Sequence, residues 1–390
     1  MSSMKLCGNT VFDNKPVEIN LVNNRIQSIR RIESTDSNMW IAPVLVDIQV
    51  NGFAGYDLNV TSVTEVDVCE MVRSLWGVGT GFLCPTVVTA SNACISNSLR
   101  AVVSAVKVDS DVKHSILGIH LEGPYISSVD GPRGAHPKEH IREPDWDEFR
   151  RFQDTAEGMI RIVTIAPEKK GAIQFIEKLV AEGIVVAIGH TDASVADIRE
   201  AINAGAKLST HLGNGAHAQI PRHPNYIWEQ LGSDELWASL IVDGHHLPPS
   251  VVKSMMRAKT LDRCILISDA VALAGMKPGK YQFAGQPVEL TNDRCVRLEG
   301  TEYLAGSAIE LARGIENSIR YAGISLAEAF SLATLHPINL LGIDNKLVRM
   351  NDNNDTNLIL FNWKPETFEI DLIMTILNGE VKYLKDGYIS

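Results

Sequence analysis

Two histidines stand at the ends of neighbouring apolar runs, and their spacing can build a metal site. Residues 184–189 are a short β-rich run leading to His190, and residues 207–211 are a second run that ends on His211. Between them, residues 193–204 repeat apolar side chains at helical spacing, which predicts a strand, helix, strand unit. Because the two strands of such a unit run parallel, both imidazoles emerge at the same end. The pattern therefore predicts a metal site there.

Two carboxylates follow other apolar runs and complete this chemistry. Glu122 comes just after the run 115–120, and Asp269 ends the run 264–269. Glu122 and the two histidines supply one oxygen and two nitrogens, a set that suits Zn²⁺ with one position open for water. Zinc lowers the pKa of bound water to about 7, and Asp269 can take a proton from it and pass it to a leaving nitrogen. These residues predict metal-assisted hydrolysis of an amide or ester.

Each of these residues also has a simpler structural interpretation. A single histidine at a strand end is more often hydrogen-bonded than metal-bound. Asp269 can cap a helix formed by the residues after it, and Asp243 can form an Asx turn in DGHH. His120, two residues before Glu122, is expected to pack behind the site or support it. The metal interpretation is favoured because a carboxylate held away from water is costly unless something pairs with it.

Three loop features are candidate substrate contacts, each with an ordinary alternative. The segment GNGAH at 213–217 is glycine-rich, so its backbone N–H groups can bind an anion, and a plain flexible loop fits equally well. Arg222 either completes a phosphate clamp beside this loop or is an ordinary surface arginine. His136 either reaches over the site and polarises a carbonyl or is solvated. The residues alone leave these alternatives open.

Strand-like runs alternate with helical segments through the middle of the chain. Eight such runs over about 280 residues predict a (β/α)8 TIM barrel, with its active site at the carboxyl ends of the strands. A doubly wound open sheet is the alternative, but no GxGxxG follows the first run, and polar residues end many strands. The runs are 44–49, 81–85, 115–120, 160–165, 184–189, 207–211, 238–243 and 264–269, and the helical segments include 63–76, 92–106, 170–182, 193–204, 249–258 and 307–322.

The two ends of the chain have a different texture from the middle. Both hold short alternating runs broken by Asn-rich turns, which is typical of β-hairpins. We expect them to pair into one small β domain made of residues 1–42 and 346–390. The barrel then occupies residues 43–345.

Composition limits the class of partner and the compartment. The formal net charge of −11 argues against nucleic acid or an anionic membrane as the main partner, because those surfaces call for basic patches. The six cysteines form no CxxC pair, which fits reduced thiols in a cytoplasm. The N-terminal residues lack the apolar core of a signal peptide, and no run approaches the length of a membrane span. We expect a soluble cytoplasmic protein.

Motifs along nearly the whole chain resemble those of one family. These are HLEGPYI (120–126), GAHP (134–137), VTIAPE (163–168), AIGHTDAS (187–194), STHLGN (209–214), IVDGHHLPP (241–249), LISDAVALAG (266–275), LAGSAIEL (304–311) and ATLHPINLLGI (333–343). Together they resemble the N-acetylglucosamine-6-phosphate deacetylases of the amidohydrolase superfamily. The resemblance implies a (β/α)8 barrel with a small β-sandwich built from both termini. It also implies removal of the acetyl group from the 2-amino nitrogen of a hexosamine 6-phosphate, and a homodimer.

The resemblance also assigns roles by motif position. It implies that Glu122, His190 and His211 hold one divalent metal ion, most simply Zn²⁺, with Fe²⁺ or Co²⁺ also compatible. Asp269 matches the general base and acid, and His136 matches the histidine that polarises the carbonyl. The positions that match substrate contacts are Ala135, Asn214, Gly215, Arg222, Asp243, His246, Leu304, Ala305 and Gly306.

Two departures from the family pattern bear on the metal and the substrate. Many amidohydrolases end the first strand with HxH and hold a second metal, whereas this chain has Gln49 and Asn51 there, which implies one metal. The segment GNGAHAQIPRHP replaces the common Asn-Ala-Met pattern and GRExG stretch, placing His217 and His223 beside the expected sugar. We expect N-acetylglucosamine 6-phosphate as substrate. The alternatives are N-acetylgalactosamine 6-phosphate, an unphosphorylated N-acetyl sugar or another amidohydrolase reaction.

A non-catalytic relative that serves as a binding or structural subunit is the rival from another class. Such proteins typically lose metal ligands, whereas this chain keeps Glu122, both histidines and Asp269. The sequence therefore favours an enzyme.

Overall fold

The centre of the computed structural model is a parallel barrel, as the alternating runs predict. The structure describes residues 3–35, 38–283, 285–301, 304–351 and 356–388. Eight strands pair in sequence order. A parallel bridge between Val50 and Ala270 brings the end of the last strand back to the first. The strands are β1 (Leu45–Val50), β2 (Thr80–Val88), β3 (Ile119–Glu122), β4 (Ile160–Ile165), β5 (Val185–Ile188), β6 (Leu208–Ser209), β7 (Trp237–Ile241) and β8 (Cys264–Ile267).

Helices cover the outside of the barrel, and their caps explain where several begin. Ser194 accepts a hydrogen bond from the backbone of Asp197 while the Asp197 carboxylate accepts from Ser194, a capping box that starts the helix between the two predicted histidines. The helices are α1 (Glu65–Trp76), α2 (Asn92–Val108), α3 (Ser110–Ser115), α4 (Trp146–Thr155), α5 (Ala172–Ala181), α6 (Val195–Asn203), α7 (Tyr226–Gly232), α8 (Pro249–Lys259), α9 (Leu311–Ala322), α10 (Leu326–Leu332) and α11 (Leu335–Leu340).

The barrel strands are buried on both faces, which is why they read as continuous apolar runs. Every residue of β1, β3, β5 and β8 is buried. Their apolar side chains join those of the surrounding helices in one large core. At roughly 1.5–3 kcal/mol for each fully buried Val, Leu, Ile, Phe or Met side chain, this core is the main source of stability. It fixes the strand ends on which the site is built.

The two ends of the chain pair into one mixed sheet, as predicted. Its seven strands span Ser3–Thr10, Pro16–Val22, Arg25–Arg31, Met39–Pro43, Leu358–Lys364, Glu369–Leu377 and Glu380–Leu384. Strand Met39–Pro43 joins the two halves, because it pairs with both the first strand and Leu358–Lys364. A separate small core that includes Ile19, Ile41 and Ile376 lies on this sheet.

An antiparallel sheet follows the barrel and was not expected from the sequence. Its strands are Gly279–Phe283, Gln286–Leu290, Cys295–Leu298 and Leu304–Ser307. The first two have mixed burial and a polar composition, so no apolar run marked them. Short strands Gly52–Phe53 and Tyr56–Asp57 form a further hairpin after β1. The predicted strand run 115–120 also begins too early. Residue 115 is the last residue of helix α3, and the strand itself is Ile119–Glu122.

None of the helices in the described residues is long and apolar enough to cross a membrane.

Candidate active site at the carboxyl ends of the barrel strands

Three side chains from different strand ends meet at one point in the barrel mouth. Glu122 Oε1 lies 3.2 Å from His190 Nε2 and 3.0 Å from His211 Nε2. The two Nε2 atoms lie 3.0 Å apart. All three residues are buried. Ligands about 2.0–2.1 Å from one tetrahedral metal ion lie a little over 3 Å from one another, so this triangle has the spacing of a single coordination sphere.

The backbone turns sharply where these residues leave the strands. His190, His211 and Asp269 have φ angles of 51°, 31° and 49°, in the left-handed region that non-glycine residues rarely adopt. Such a conformation costs on the order of 1–3 kcal/mol per residue and persists where the surrounding structure enforces it. Here it aims the three side chains into the mouth. Apolar periodicity in the sequence carries no signal for this turn.

The triangle is supported by contacts to side chains and backbone around it. The Gln49 amide donates to Glu122 Oε1 at 3.0 Å. His190 Nδ1 lies 2.9 Å from the carbonyl oxygen of Pro132, so Nδ1 carries the proton and Nε2 keeps its lone pair. His120 lies behind, with Nε2 2.7 Å from the Thr164 hydroxyl, and burial lowers its pKa to about 4. The supporting role predicted for His120 fits this position.

Glu122 and His211 shift each other's pKa. Burial alone would raise the pKa of Glu122, but contacts with His190 and His211 hold it well below its usual value. Burial would lower the pKa of His211, and the contact with Glu122 raises it instead. The cluster therefore holds a fixed negative charge facing two imidazole nitrogens, which is a site built for a cation.

Asp269 stands at the edge of the same mouth. Its Oδ1 accepts a hydrogen bond from the Asn51 amide at 2.7 Å, and its backbone N–H donates to the carbonyl of Gln49. Burial, followed by the nearby charge of Glu122, raises the pKa of Asp269. The alternative role as a helix cap is wrong, because turns rather than a helix follow this residue.

His136 is buried rather than solvated. It comes from the loop after β3, and its Nε2 lies 3.2 Å from His190 Nε2. The residue is 8% exposed, and burial lowers the pKa of its imidazole to about 3. It is thus a neutral imidazole at the site. Glu122, His136 and His190 also form a group with ligand atoms within 4.8 Å of one another, and Glu122 and His190 belong to both groups.

The loop after β6 packs directly on the triangle. The backbone N–H and the amide of Asn214 both donate to the carbonyl of His211. A Cβ built on Gly215 would lie 2.6 Å from His190 Nδ1, so only glycine fits there. Farther along, the His217 ring contacts the Tyr226 hydroxyl at 3.0 Å.

The Arg222 side chain forms no hydrogen bond with the other predicted site residues that the structure describes. Its side chain is exposed and forms no ion pair with any acid among the described residues.

Most of the remaining predicted substrate contacts lie near Asp269, and Ala135 lies beside His136. Asp243 accepts backbone hydrogen bonds from His245 and His246, so the predicted Asx turn is present. The other oxygen of Asp243 lies 2.6 Å from His246 Nδ1. The strand Leu304–Ser307 lies beside the Asp269 segment, where Ala270 bridges to Ser307. It carries Leu304, Ala305 and Gly306. Ala135 is exposed and adjoins the buried His136.

Sequence reasoning missed one buried acid behind the site. Asp47, 1% exposed on β1, accepts hydrogen bonds from the backbone N–H groups of Gln49 and Ser268, and burial raises its pKa to about 7. It braces β1 against β8 next to Asp269. A signal was present, because Asp47, Gln49 and Asn51 alternate along an otherwise apolar run and so share one face of the strand.

Comparison with known proteins assigns this chain to a family. The family model described as "Amidohydrolase family" matches residues 45–382. The chain therefore belongs to the amidohydrolase family, and the buried Glu/His/His cluster is consistent with the divalent metal site typical of it.

Within this family, the chain is similar to proteins named as deacetylases of N-acetylhexosamine 6-phosphates. The chain is 32% identical to an N-acetylgalactosamine-6-phosphate deacetylase of Escherichia coli O157:H7, over 79% of each chain. It is 31% identical to an N-acetylglucosamine-6-phosphate deacetylase of Bacillus subtilis, over 88% of this chain and 85% of the other. A solved mutant N-acetyl-D-glucosamine-6-phosphate deacetylase from Mycobacterium smegmatis, in complex with N-acetyl-D-glucosamine-6-phosphate, superposes with a TM-score of 0.85 at 25% identity, covering 98% and 100% of the chains. The resemblance seen in the motifs is confirmed.

Proposed function

We propose that this protein hydrolyses the acetamide of N-acetylglucosamine 6-phosphate to glucosamine 6-phosphate and acetate. The observation that carries the proposal is the buried triangle of Glu122, His190 and His211 with Asp269 at its edge. Relatives that carry the names of N-acetylhexosamine-6-phosphate deacetylases support the substrate class. The residues alone support amide hydrolysis, because a metal ion can activate water and a neighbouring carboxylate can transfer its proton.

Glu122, His190 and His211 would hold one divalent ion. Their donor set fits Zn²⁺ best, and Fe²⁺ and Co²⁺ accept the same set. The lone pair on His190 Nε2 and the carboxylate of Glu122 face the same point, so both groups are already oriented to bind a cation. A bound ion of this kind makes water nucleophilic at neutral pH and polarises a carbonyl.

Asp269 moves the proton in this reaction. Its carboxylate takes a proton from the attacking water as the new C–O bond forms, and delivers it to the sugar nitrogen as the C–N bond breaks. Burial raises the pKa of Asp269, which improves its capacity to hold that proton between the two steps. The hydrogen bond from Asn51 fixes Oδ1 and leaves Oδ2 for the transfer.

His136 and the loops around the mouth orient the substrate. A neutral His136 donates to the acetamide oxygen, on which negative charge develops. Asn214, Gly215 and His246 line the sugar and phosphate end, and Arg222 contributes the positive charge that a phosphate needs. Ala135, Asp243 and the strand Leu304–Ser307 complete the walls. A homodimer, implied by the family resemblance, stays a prediction.

N-acetylgalactosamine 6-phosphate is the second candidate substrate. A relative named for that sugar is as similar to this chain as those named for N-acetylglucosamine 6-phosphate. His217 and His223 stand where the common family pattern has other residues. These positions lie in the loop that would contact the sugar. Substitutions there would therefore change which hexosamine phosphate is preferred.

Acetate release from a small set of sugars tests the proposal. The set is N-acetylglucosamine 6-phosphate, N-acetylgalactosamine 6-phosphate, N-acetylmannosamine 6-phosphate and unphosphorylated N-acetylglucosamine, each with added Zn²⁺. We expect the highest kcat/KM with the first sugar. A higher value with the second would replace the proposed sugar and keep the reaction, and no acetate from any of them would overturn the reaction itself.

A further inference from the structure

The His136 ring contacts a proposed metal ligand. His136 Nε2 and His190 Nε2 lie 3.2 Å apart, with ring centroids 4.3 Å apart and the rings steeply inclined. This N–N distance equals the 3.2 Å between His190 and Glu122 within the triangle. His136 therefore stands at ligand-to-ligand spacing from His190, although the family resemblance gives it a different role.

The tautomer of His190 restricts what this contact can be. Because His190 Nδ1–H donates a hydrogen bond to the Pro132 carbonyl, the single lone pair of neutral His190 lies on Nε2. In a metal-free protein, that lone pair can accept a hydrogen from His136 Nε2. Once a metal ion occupies the lone pair, His190 can no longer accept this hydrogen bond. His136 must then share the ion or move away.

The surroundings of His136 favour sharing the ion. The ring is buried, and its Nδ1 has no hydrogen-bond partner among the described residues, so no competing acceptor draws the imidazole elsewhere. Its backbone carbonyl is held by the Arg133 guanidinium at 2.7 Å. Glu122, His136 and His190 offer ligand atoms within 4.8 Å of one another. These contacts keep an uncharged nitrogen donor directed at the cation site.

The loop that carries His136 is also attached to His190. Pro132 supplies the carbonyl that orients the His190 ring, and a Cβ built on Gly134 would lie 3.1 Å from His190 Cε1. One loop thus sets the orientation of one ligand and presents a second nitrogen. A displacement of this loop by substrate would change both at once.

We propose that His136 is a fourth, exchangeable protein ligand of the metal ion in the substrate-free enzyme. It holds the position that the acetamide oxygen takes up, and it leaves the ion when that oxygen binds. While Nε2 binds the ion the single proton of the ring lies on Nδ1, so this proton must exchange to Nε2 before the released imidazole donates a hydrogen bond to that oxygen. The inference rests on the metal site of the proposed function and adds a resting state to it. In that state four protein ligands hold the ion, and bound substrate releases one imidazole.

Cobalt binding to the full-length protein tests this ligand. The background is Asp269→Asn, in which bound N-acetylglucosamine 6-phosphate is expected to persist. His136→Gln removes the imidazole, and His140→Gln, on the same segment but only partly buried, is the matched control. The readouts are Co²⁺ affinity by competition with a chelator and the visible absorption bands of bound Co²⁺, which respond to the number of ligands.

The expected pattern is a difference that substrate removes. Without sugar, His136→Gln should weaken Co²⁺ binding by about 10- to 100-fold and shift the bands, while His140→Gln matches its background. With saturating sugar, the His136→Gln and background spectra should coincide. Equal affinities and equal spectra without sugar would overturn the fourth ligand and leave the proposed function standing. A protein that binds no divalent ion would overturn both.

Discussion

The floor and the rim of the barrel mouth are built in different ways. The floor is Glu122, His190, His211 and Asp269, which follow strand ends and are partly or fully buried. The first three contact one another, and Asp269 is held by the Asn51 amide. The rim is the segment 213–224 after β6, in which residues 219–224 are exposed. The floor is fixed by the core, whereas the rim is a loop on the surface. We therefore expect that substitutions at the exposed residues 219–224 can change the preferred substrate without disturbing the triangle.

The largest expected effect comes from the charge on the floor. Glu122→Gln keeps the shape of the side chain and removes the negative charge that faces both imidazoles. We expect loss of the bound ion and a fall in turnover of at least about 1000-fold, since a metal ion contributes several kcal/mol to the transition state. Glu168→Gln, at a neighbouring strand end and bonded to Thr191 and Asp192, is the control and should keep its metal.

The second effect separates the proton carrier from the metal ligands. Asp269→Asn should reduce kcat for acetate release by about 10²- to 10⁴-fold, the usual contribution of a general acid–base group. Metal content should not change, because Asp269 lies outside the triangle. Turnover at the wild-type rate in this variant would remove Asp269 from the reaction.

The third effect belongs to the rim. Arg222→Ala should raise KM for a phosphorylated sugar by roughly 10- to 100-fold, the value of a hydrogen bond to a charged group, and leave the unphosphorylated sugar unaffected. Arg199→Ala removes an exposed arginine that pairs with Glu229 and serves as control. If KM for the phosphorylated sugar is unaltered, the rim does not bind phosphate through Arg222.

The smallest effect on turnover, and a clear one on stability, concerns Asp47 behind the floor. Burial raises its pKa to about 7, whereas an unfolded chain gives about 3.9. Between these values the folded protein binds a proton that the unfolded chain does not, so stability falls as pH rises from about 4 to 7. Asp47 lowers the free energy of unfolding by at most about 4 kcal/mol over this pH range.

Urea unfolding of wild type and Asp47→Asn at several pH values measures this contribution. The difference in unfolding free energy between the two proteins should shift in favour of the variant as pH rises through this window. The same substitution at exposed Asp147 should give no such shift. A constant difference between wild type and Asp47→Asn would mean that Asp47 stays charged throughout.

The contrast between floor and rim also explains what the sequence could predict. Apolar runs and helical periodicity predicted the eight strands and the pairing of both termini, because burial produces those patterns. His190 and His211 were identifiable because each ends such a run. Motif positions pointed to His136 as a site residue, but its burial depends on loop packing against His190, which no local pattern encodes.

Other features had no sequence signal that periodicity could detect. The left-handed backbone at His190, His211 and Asp269 arises from tertiary constraints on non-glycine residues. The strands between 279 and 307 are only partly buried, so they lack the apolar run that marks a barrel strand. The helix-cap alternative for Asp269 arose from an apolar stretch that forms turns instead.

The measurement that tests the central claim most directly is metal content together with acetate release. The protein would be stripped with chelator, assayed on N-acetylglucosamine 6-phosphate, and assayed again after addition of Zn²⁺. We predict one ion per chain before stripping, loss of acetate release without it and recovery on addition, with Glu122→Gln failing to recover. Undiminished acetate release from the metal-free protein would contradict the assignment of Glu122, His190 and His211 as the metal site.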